Sequence, residues 1–272
     1  MLKKTFKQLE QSGWRDKAAA YDDIFALITR QAISPLLDGF GDLTGKRLLD
    51  VACGTGHLAA EARERGAHAE GTDFADTMLA RASANYPDIA FYEGDAEDLF
   101  YENTLFDAIA CNFGLLHFEN ADAAISEMHR VLRSGGQFAF TAWCSPDQGC
   151  DFMRLVWSAV QAHGNPDVDL PPAPPMFRFA DPAECISAVQ AAGFSDPEVS
   201  RLELAWTANH ADEIIELIYK SVVRAPMVLE AQTPDARERI HEAIITGAEE
   251  FRSGSKIEMA FPAMMTIATK PG

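Results

Sequence analysis

The stretch LLDVACGTGHLAA occupies residues 48–60 and decides the fold. Its apolar start, residues 48–51, has the length and composition of a short buried strand. Two glycines follow at positions 54 and 56, and a helical pattern then runs to Gly66. A strand that ends in a glycine-rich turn and leads into a helix is the start of a βαβ unit, which predicts a parallel sheet.

Strand and helix patterns alternate through the rest of the chain. Six further strands are predicted over residues 67–72, 89–92, 106–111, 137–143, 198–206 and 257–269. We therefore expect an α/β fold with a Rossmann-like, doubly wound, mostly parallel seven-stranded sheet and helices on both faces. An N-terminal helix over residues 14–30 precedes this sheet, and Asn209 is expected to cap a helix near the end.

The domain organisation is predicted as a single domain over residues 1–272, with its binding core at 45–144. After Cys144 the rhythm changes, and residues 166–175 hold five of the 14 prolines. Long irregular connections inside compact domains are usually lids or binding loops. We therefore expect residues 145–180 and 207–255 to form lid elements over an acceptor site.

The composition argues against several classes of partner. A net charge of −18 repels phosphate backbones, although Lys3, Lys4, Lys7, Arg15 and Lys17 form a local basic cluster, so no nucleic-acid partner is expected. No window resembles a membrane span or a secretory signal, which favours the cytoplasm. The five scattered cysteines lack zinc spacing, and no metal site is predicted. Oligomeric state cannot be read from the chain.

The glycine-rich turn carries the first chemical signal. Gly54-x-Gly56-x-x-Ala59 fits the dinucleotide fingerprint, and Asp73 lies 19 residues after Gly54, where a ribose-binding acid belongs. Glycines let a ligand approach the backbone, and a carboxylate accepts from ribose hydroxyls. This pattern alone fits both NAD and S-adenosylmethionine.

Further acids favour the second cofactor. Asp50 directly precedes the turn, where it would repel a pyrophosphate but attract an ammonium or a sulfonium. Asp95 follows the third strand, where it suits an adenine amine. In addition, the last two strand patterns are separated by helices rather than by a second mononucleotide-binding half.

Four motifs in order resemble those of the class I S-adenosylmethionine-dependent methyltransferases. LLDVACGTGHLA is similar to motif I and GTDFADTMLARA to the segment after it, EGDAEDLFYENTLFDAIACNFGLLHF to the motif II region, and EMHRVLRSGGQFAFTAW to motif III. The resemblance spans residues 14–144 and is closest to the small-molecule group of ubiquinone and menaquinone C-methyltransferases, with a methyltransferase type 11 domain. Ala52 departs from the pattern, because many members have glycine there.

The resemblance implies S-adenosyl-L-methionine as cofactor and assigns roles to the matching positions. The methionine portion would be contacted by four residues of the first loop: Asp50, Ala52, Gly54 and Gly56. Asp73 would bind both ribose hydroxyls and Phe74 would lie against the adenine ring, whose edge would meet Asp95 and Ala96. The floor near the sulfonium would be formed by three residues: Cys111, Asn112 and Phe113. Trp14 and Tyr21 would lie on the N-terminal helix that covers the cofactor.

Several of these residues have a structural alternative. Phe74 can pack a helix, Asn112 can cap the following turn, and Trp14 with Tyr21 can be an ordinary core stripe. His117 follows the fourth strand and is the candidate catalytic base, but it can equally be a histidine held by a structural hydrogen bond. Methyl transfer often needs no enzyme base, because alignment supplies much of the rate.

The expected function is methyl transfer from S-adenosylmethionine to a small, apolar acceptor molecule. Apolar residues of the lid, with Met176, Phe177 and Phe179, and the helix over residues 214–223 are expected to form its pocket. Two alternatives stay open: a non-catalytic S-adenosylmethionine-binding module and an NAD(P)-dependent reductase. The sequence does not show whether carbon, oxygen or nitrogen is methylated.

Overall fold

The computed structural model describes residues 4–272; Lys3 of the basic cluster lies outside them. The helices are α1 (Phe6–Tyr21), α2 (Ala26–Thr29), α3 (Ile33–Asp38), α4 (His57–Glu64), α5 (Asp76–Asn85), α6 (Ala121–Val131), α7 (Asp151–His163), α8 (Pro182–Ala191), α9 (Glu213–Ser221), α10 (Arg224–Glu230) and α11 (Pro234–Ala248). The strands are β1 (Arg47–Val51), β2 (His68–Asp73), β3 (Ala90–Glu93), β4 (Phe106–Asn112), β5 (Leu132–Trp143), β6 (Ser195–Leu202), β7 (Ala205–Ala208), β8 (Arg252–Ser253), β9 (Lys256–Ala260) and β10 (Ala263–Thr269).

The main sheet has seven strands in the order β3-β2-β1-β4-β5-β10-β6. Strands β1 to β5 pair in parallel, and β10 lies antiparallel to both β5 and β6. One face is covered by a core that includes α6 and α8, and the other by a core that includes α3 and α4. The predicted Rossmann-like, doubly wound, mostly parallel sheet is therefore confirmed.

Strands β1 and β4 are neighbours near the middle of the sheet, and successive strands are added outward from them in opposite directions. In open α/β sheets the carboxyl ends of the strands form a crevice at such a switch point, and ligands bind there. β1 reaches this point because Leu48, Leu49 and Val51 are fully buried in the middle of the sheet. The glycine-rich turn that follows β1 is thus placed at the crevice.

A second sheet of three strands, in the order β7-β9-β8, was not predicted. Each of the two long strands expected at 198–206 and 257–269 is split, so that one part joins each sheet. Pro262 explains the second break, because it has no N–H for a sheet ladder. The two segments that contain these breaks still pair with each other, since the Phe261 amide donates to the Leu204 carbonyl at 2.8 Å.

Two helix predictions were wrong. The single N-terminal helix over 14–30 is instead α1, which begins at Phe6 and ends at Tyr21, followed by the short α2. Thr5 caps α1 through a reciprocal pair of hydrogen bonds with Gln8. Asn209 does not cap α9; its amide donates to the Glu213 side chain at 2.9 Å, and the helix begins only at Glu213.

The helices of the C-terminal half form one core with the second sheet. Its members include Phe152, Val156, Ile214 and Leu217, all nearly or fully buried. Trp143 and Phe113, at the ends of β5 and β4, belong to the same core. The C-terminal helices are therefore packed directly against the carboxyl edge of the main sheet, where the crevice opens.

Candidate functional site

Three adjoining cavities occupy the crevice. The acidic cavity, of about 340 Å³, is lined by residues that include Asp73, Asp95 and Glu97. The central cavity, of about 550 Å³, is lined by residues that include Gly54 and Asn112. The apolar cavity, of about 520 Å³, lies farther toward the C-terminal helices. His117 lines all three, so they adjoin one another along one cleft.

Most of the residues predicted for the cofactor line the first two cavities. The acidic cavity contains Ala52, Asp73, Phe74, Asp95 and Ala96, and the central cavity contains Trp14, Tyr21, Ala52, Gly54, Asp73, Phe74, Asn112 and Phe113. Asp50 lines a further recess beside them, together with Gly54 and Asn112. Residues that lie far apart in sequence are thus brought together as predicted, although their contacts with a cofactor stay predictions.

Asp73 lies at the end of β2, between the acidic and central cavities, and is only 6% exposed. Its Oδ2 accepts from the Gly54 amide and its Oδ1 from the Ala75 amide, both at 2.9 Å. Burial raises the pKa of this carboxyl, and the two amides oppose the shift. A hydroxyl donor arriving from the cleft would meet a carboxylate that the backbone already holds in place.

Asp50 is buried in β1 and accepts from the Ala59 amide of α4 at 3.2 Å. Burial raises its pKa to about 8, with a further contribution from Asp73. A buried carboxyl with no cation beside it resists ionisation, and a positively charged ligand would reverse that. Because neither carboxyl is paired with a cation within residues 4–272, Asp50 and Asp73 favour the binding of a cation or a hydroxyl donor in this part of the cleft.

Gly54 provides the space for a ligand. Its φ is +52°, and a Cβ built on it meets no atom within 4 Å, so that a side chain there would extend into the cleft. The open space beside two buried acids fits a cofactor with an ammonium, a sulfonium and ribose hydroxyls. In the part of the chain that the structure describes, no cluster of His, Cys, Asp and Glu side chains is arranged to hold a metal ion.

Gly56 and Ala52 behave differently from Gly54. Gly56 lines none of the cavities described above, and a Cβ on it would lie 2.7 Å from the Phe91 ring. The turn therefore requires glycine at 56 for packing as well as for its φ of +87°. Ala52 has a φ of +56°, a left-handed conformation that is strained for alanine and easy for glycine.

Asn112 ends β4 and is held by two hydrogen bonds. Its Nδ2 donates to the Thr29 carbonyl at 3.1 Å, and its Oδ1 accepts from the Thr141 hydroxyl at 2.6 Å. It therefore ties the N-terminal helices to the sheet rather than capping the next turn. Phe113, with a φ of +59°, stacks on Trp143 at 3.7 Å and closes the floor of the central cavity.

α1 covers the cleft from the N-terminal side. Gln11 donates to the Phe74 carbonyl at 2.7 Å, and Arg15 pairs with Asp76 of α5 at 2.7 Å. Trp14 and Tyr21 both line the central cavity and also pack with Phe74 against α5. The core and the cofactor-covering interpretations of these aromatics are compatible, since both residues pack against the core and also line the cavity.

His117 is positioned by a residue that sequence reasoning missed. Its Nδ1 lies 2.8 Å from Oε2 of Glu10, a fully buried carboxyl on α1, and its ring lies edge-on to Trp14 at 4.9 Å. The other Glu10 oxygen, Oε1, is buried without a hydrogen-bond partner. A carboxyl in the middle of an amphipathic helix with Phe6 and Trp14 one turn away on either side was the available signal.

The apolar cavity shares four residues with the central cavity: Trp14, Phe25, His117 and Trp143. Its other walls come from Leu116, from α7, from Met176 of the proline-rich loop, and from the α9–α10 connection with the start of α10. The residues of these last helical walls are Phe152, Met153, Val156, Trp157, Val222, Val223, Arg224 and Ala225. Most of α9 is core, and only the segment after it lines the cavity. Phe179 is not part of this pocket, because it is buried against Phe140 on the sheet.

Comparisons with known proteins agree with this geometry. Residues 49–140 match the family described as a methyltransferase domain. A demethylmenaquinone methyltransferase of Beutenbergia cavernae is 36% identical over 135 residues, which are 48% of this chain and 56% of that protein. The chain thus spans about half the length of the curated relatives it matches.

Solved structures share the fold at low sequence identity. The YcgJ protein of Bacillus subtilis aligns with a TM-score of 0.60 and 19% identity over 89% of this chain and 99% of that one. Another is a Haemonchus contortus phosphoethanolamine N-methyltransferase 2 in complex with phosphomonomethylethanolamine and S-adenosylhomocysteine. It aligns with a TM-score of 0.54 and 19% identity over 89% of this chain and 53% of that one. Residues 49–140 therefore match a methyltransferase domain, and the chain as a whole shares the Rossmann-like fold of these solved structures.

Proposed function

We propose that this protein is an S-adenosylmethionine-dependent methyltransferase that acts on a small, largely apolar acceptor. The observation that carries the proposal is that cavities of different character adjoin along one cleft. A cavity lined by a buried acid shares His117 and Trp143 with a cavity whose walls are almost entirely apolar. Such a cleft can hold a cationic cofactor and an apolar molecule end to end.

The cofactor residues hold the adenosine and methionine portions. Asp73 accepts from the ribose hydroxyls, and Phe74 and Ala96 enclose the adenine. Asp50 balances the positive charge of the amino acid portion from below the turn, and Gly54 leaves room for it. When bound, S-adenosylmethionine would supply a methyl group activated by a positively charged sulfur, and S-adenosylhomocysteine would be the leaving group when that methyl passes to the acceptor.

The chain's own contribution to the reaction is alignment and the exclusion of water. Phe25, Phe113 and Trp143 form a rigid apolar floor between the two cavities, since Phe25 and Phe113 each pack against Trp143. Holding two reactants in line can supply roughly 7–11 kcal/mol of barrier reduction. A preformed floor of this kind favours that alignment because the rings are already packed in place.

His117 is proposed as the base for acceptors that must lose a proton. With the Nδ1 proton donated to Glu10, Nε2 keeps its lone pair and can take a proton from the acceptor. Glu10 is then a positioning residue, which fixes the tautomer and orientation of the ring. This pair adds a proton-transfer path to a reaction that otherwise depends on alignment.

The proposal is tested by methyl transfer from radiolabelled S-adenosylmethionine to a panel of small acceptors. Naphthols and hydroquinones belong in the panel, because the similar proteins include demethylmenaquinone methyltransferases. Labelled product together with S-adenosylhomocysteine formation supports the proposal. Cofactor binding without product across the panel favours a non-catalytic binding module, and stabilisation by NADH but not by S-adenosylhomocysteine favours the reductase alternative.

The same assay tests the His117–Glu10 pair. We expect His117→Ala to lower kcat by about 100-fold for an acceptor that must be deprotonated. Glu10→Gln should lower kcat about tenfold and change the pH profile, while leaving S-adenosylhomocysteine affinity unchanged. A pH profile identical to that of the wild type in Glu10→Gln would show that Glu10 has only a structural role.

We further propose a cytoplasmic location and no nucleic-acid partner. All five cysteines are free and buried, which suits a reducing compartment. None of the helices within residues 4–272 is long and apolar enough to cross a membrane.

A further inference from the structure

Arg224 is an exception among the residues that line the apolar cavity. It is the first residue of α10, and it follows Val222 and Val223, which line the same wall. Its Nη1 is buried and has no hydrogen-bond partner in the described part of the chain. The contact that the structure gives its guanidinium is with the Phe6 ring, 5.4 Å from the centroid.

A buried guanidinium N–H without an acceptor is energetically costly. Leaving a buried donor unsatisfied costs about 1–3 kcal/mol, and more when the group is charged. Glu10 lies one turn after Phe6 on α1 and also has an unpartnered oxygen, yet no hydrogen bond joins it to Arg224. An acceptor atom from a ligand in the cavity would satisfy the guanidinium without requiring the protein to rearrange.

The chemistry of the cavity indicates which ligand group would bind the Arg224 guanidinium. Guanidinium groups bind oxyanions through two parallel N–H donors. The only ionisable side chains on the described walls of this cavity are His117 and Arg224. A single guanidinium matches the one negative charge of a carboxylate, whereas a phosphate brings nearly two charges and more acceptor oxygens than these walls can satisfy.

We propose that the methyl acceptor has an apolar body and carries a carboxylate, which Arg224 binds. This inference rests on the proposed function, since it takes the apolar cavity to be the acceptor site. The carboxylate fixes one end of the molecule at α10, and the apolar body fills the space between α7 and Trp143. The acceptor atom is then directed toward His117 and the central cavity.

The test compares the affinity of the protein for a carboxylic acid with its affinity for the uncharged methyl ester of that acid. The probes are 1-hydroxy-2-naphthoic acid and its methyl ester, titrated into the protein saturated with S-adenosylhomocysteine. Trp14, Trp143 and Trp157 line the cavity, so the change in tryptophan fluorescence reports occupancy. We expect the acid to bind the wild type about tenfold more tightly than the ester, as a charge-assisted hydrogen bond would give.

Substitutions then assign the preference to the guanidinium. Arg224→Met should bind the acid and the ester alike, and Arg224→Lys should keep part of the preference. Phe6→Leu removes the ring beneath the guanidinium but leaves the charge, and it should keep the preference. If Arg224→Met fails to fold, the wild-type ratio and the lysine variant decide.

Four results would overturn the inference: equal binding of acid and ester by the wild type, binding of neither at 1 mM, an unchanged preference in Arg224→Met, or tighter binding of 2-naphthyl phosphate than of the acid. Failure of the proposed function is seen separately, as absence of S-adenosylhomocysteine binding. In that case the same two probes are titrated into the ligand-free protein, and the acid preference is still measured.

Discussion

The acidic cavity and the apolar cavity lie at opposite ends of one cleft but differ in how their polar groups are satisfied. Asp73, at the first end, accepts from two backbone amides and is fixed before any ligand arrives. Arg224, at the second end, has a buried nitrogen with no partner. The backbone thus holds Asp73 in place before a ligand binds, whereas Arg224 is left for a ligand to satisfy.

The two ends also differ in what they are made from. The cofactor end is built from the turns after β1, β2 and β3, each at the carboxyl edge of a parallel strand. The acceptor end is built from helices and from a loop that bring together distant parts of the chain. Substitutions at the first end should therefore affect cofactor affinity with little change in acceptor preference.

The largest effect is expected from Asp73→Ala. In the proposed binding mode, removing the carboxylate deletes two charge-assisted hydrogen bonds to the ribose, and each is worth about 1.5–3 kcal/mol. Affinity for S-adenosylhomocysteine, measured by isothermal titration, should fall at least about 100-fold. Asp88→Ala, at an exposed aspartate that pairs only with Arg63 on the surface, is the control and should bind normally. Retained affinity in Asp73→Ala would remove the carboxylate from the site.

The next effect separates space from backbone strain. Gly54 and Gly45 both have positive φ, and a Cβ on either meets no atom within 4 Å. Alanine at either position should therefore cost a similar amount of stability, about 1 kcal/mol, measured by denaturant unfolding. Only Gly54→Ala should lower S-adenosylhomocysteine affinity, by about tenfold, because its methyl group extends into the cleft. Equal loss in both variants would contradict the proposed position of the cofactor.

The third prediction uses the pKa of Asp50. Burial raises that pKa to about 8, so the ligand-free protein favours protonated Asp50 below this pH. The stability that the folded protein gains by holding this proton is therefore lost as the pH rises toward 8. A cationic ligand favours the ionised form, so affinity should increase between pH 6 and pH 8.5, by at most about tenfold per pH unit. Three other titratable groups interact with this carboxyl: Asp73, Cys53 and Tyr21. The pKa of Asp73 is raised as well.

Asp50→Asn supplies the control for that pH dependence. The amide cannot ionise, so the increase in affinity and the accompanying release of a proton should both be reduced, which calorimetry in two buffers of different ionisation enthalpy measures. An unchanged slope in Asp50→Asn would assign the effect to another group.

The smallest effect concerns the strained alanine. Ala52→Gly should relieve the left-handed φ and stabilise the protein by no more than about 1 kcal/mol, since the flexibility of glycine offsets part of the gain. Ala62→Gly, inside α4, should instead destabilise by about 1 kcal/mol. Destabilisation of the same size in both variants would show that Ala52 is not strained.

The same comparison explains what could be predicted from sequence. The cofactor end was predictable because each residue follows a short strand, and strand ends in a parallel sheet meet at one edge. Asp50, Asp73 and Asp95 were found in this way. Glu10 and Arg224 were missed, because their positions depend on how α1 and α10 pack against the sheet, which no local pattern determines.

The errors in the fold have the same origin. The strand patterns at 198–206 and 257–269 were located correctly, but periodicity does not show that a chain passes from one sheet to another. Pro262 was the local signal for one break. The first helix was extended to residue 30 because Trp14, Tyr21 and Phe25 keep a helical spacing, while the structure ends α1 at Tyr21 and uses the turn to place Phe25 under Trp143.

The central claim, that the acidic end of the cleft holds S-adenosylmethionine, is tested most directly by isothermal titration of the wild-type protein with S-adenosylhomocysteine and, separately, with NADH. We predict one site per chain with a dissociation constant in the micromolar range for S-adenosylhomocysteine, and no heat of binding for NADH. Binding of NADH without S-adenosylhomocysteine, or of neither by a folded sample, would contradict the account.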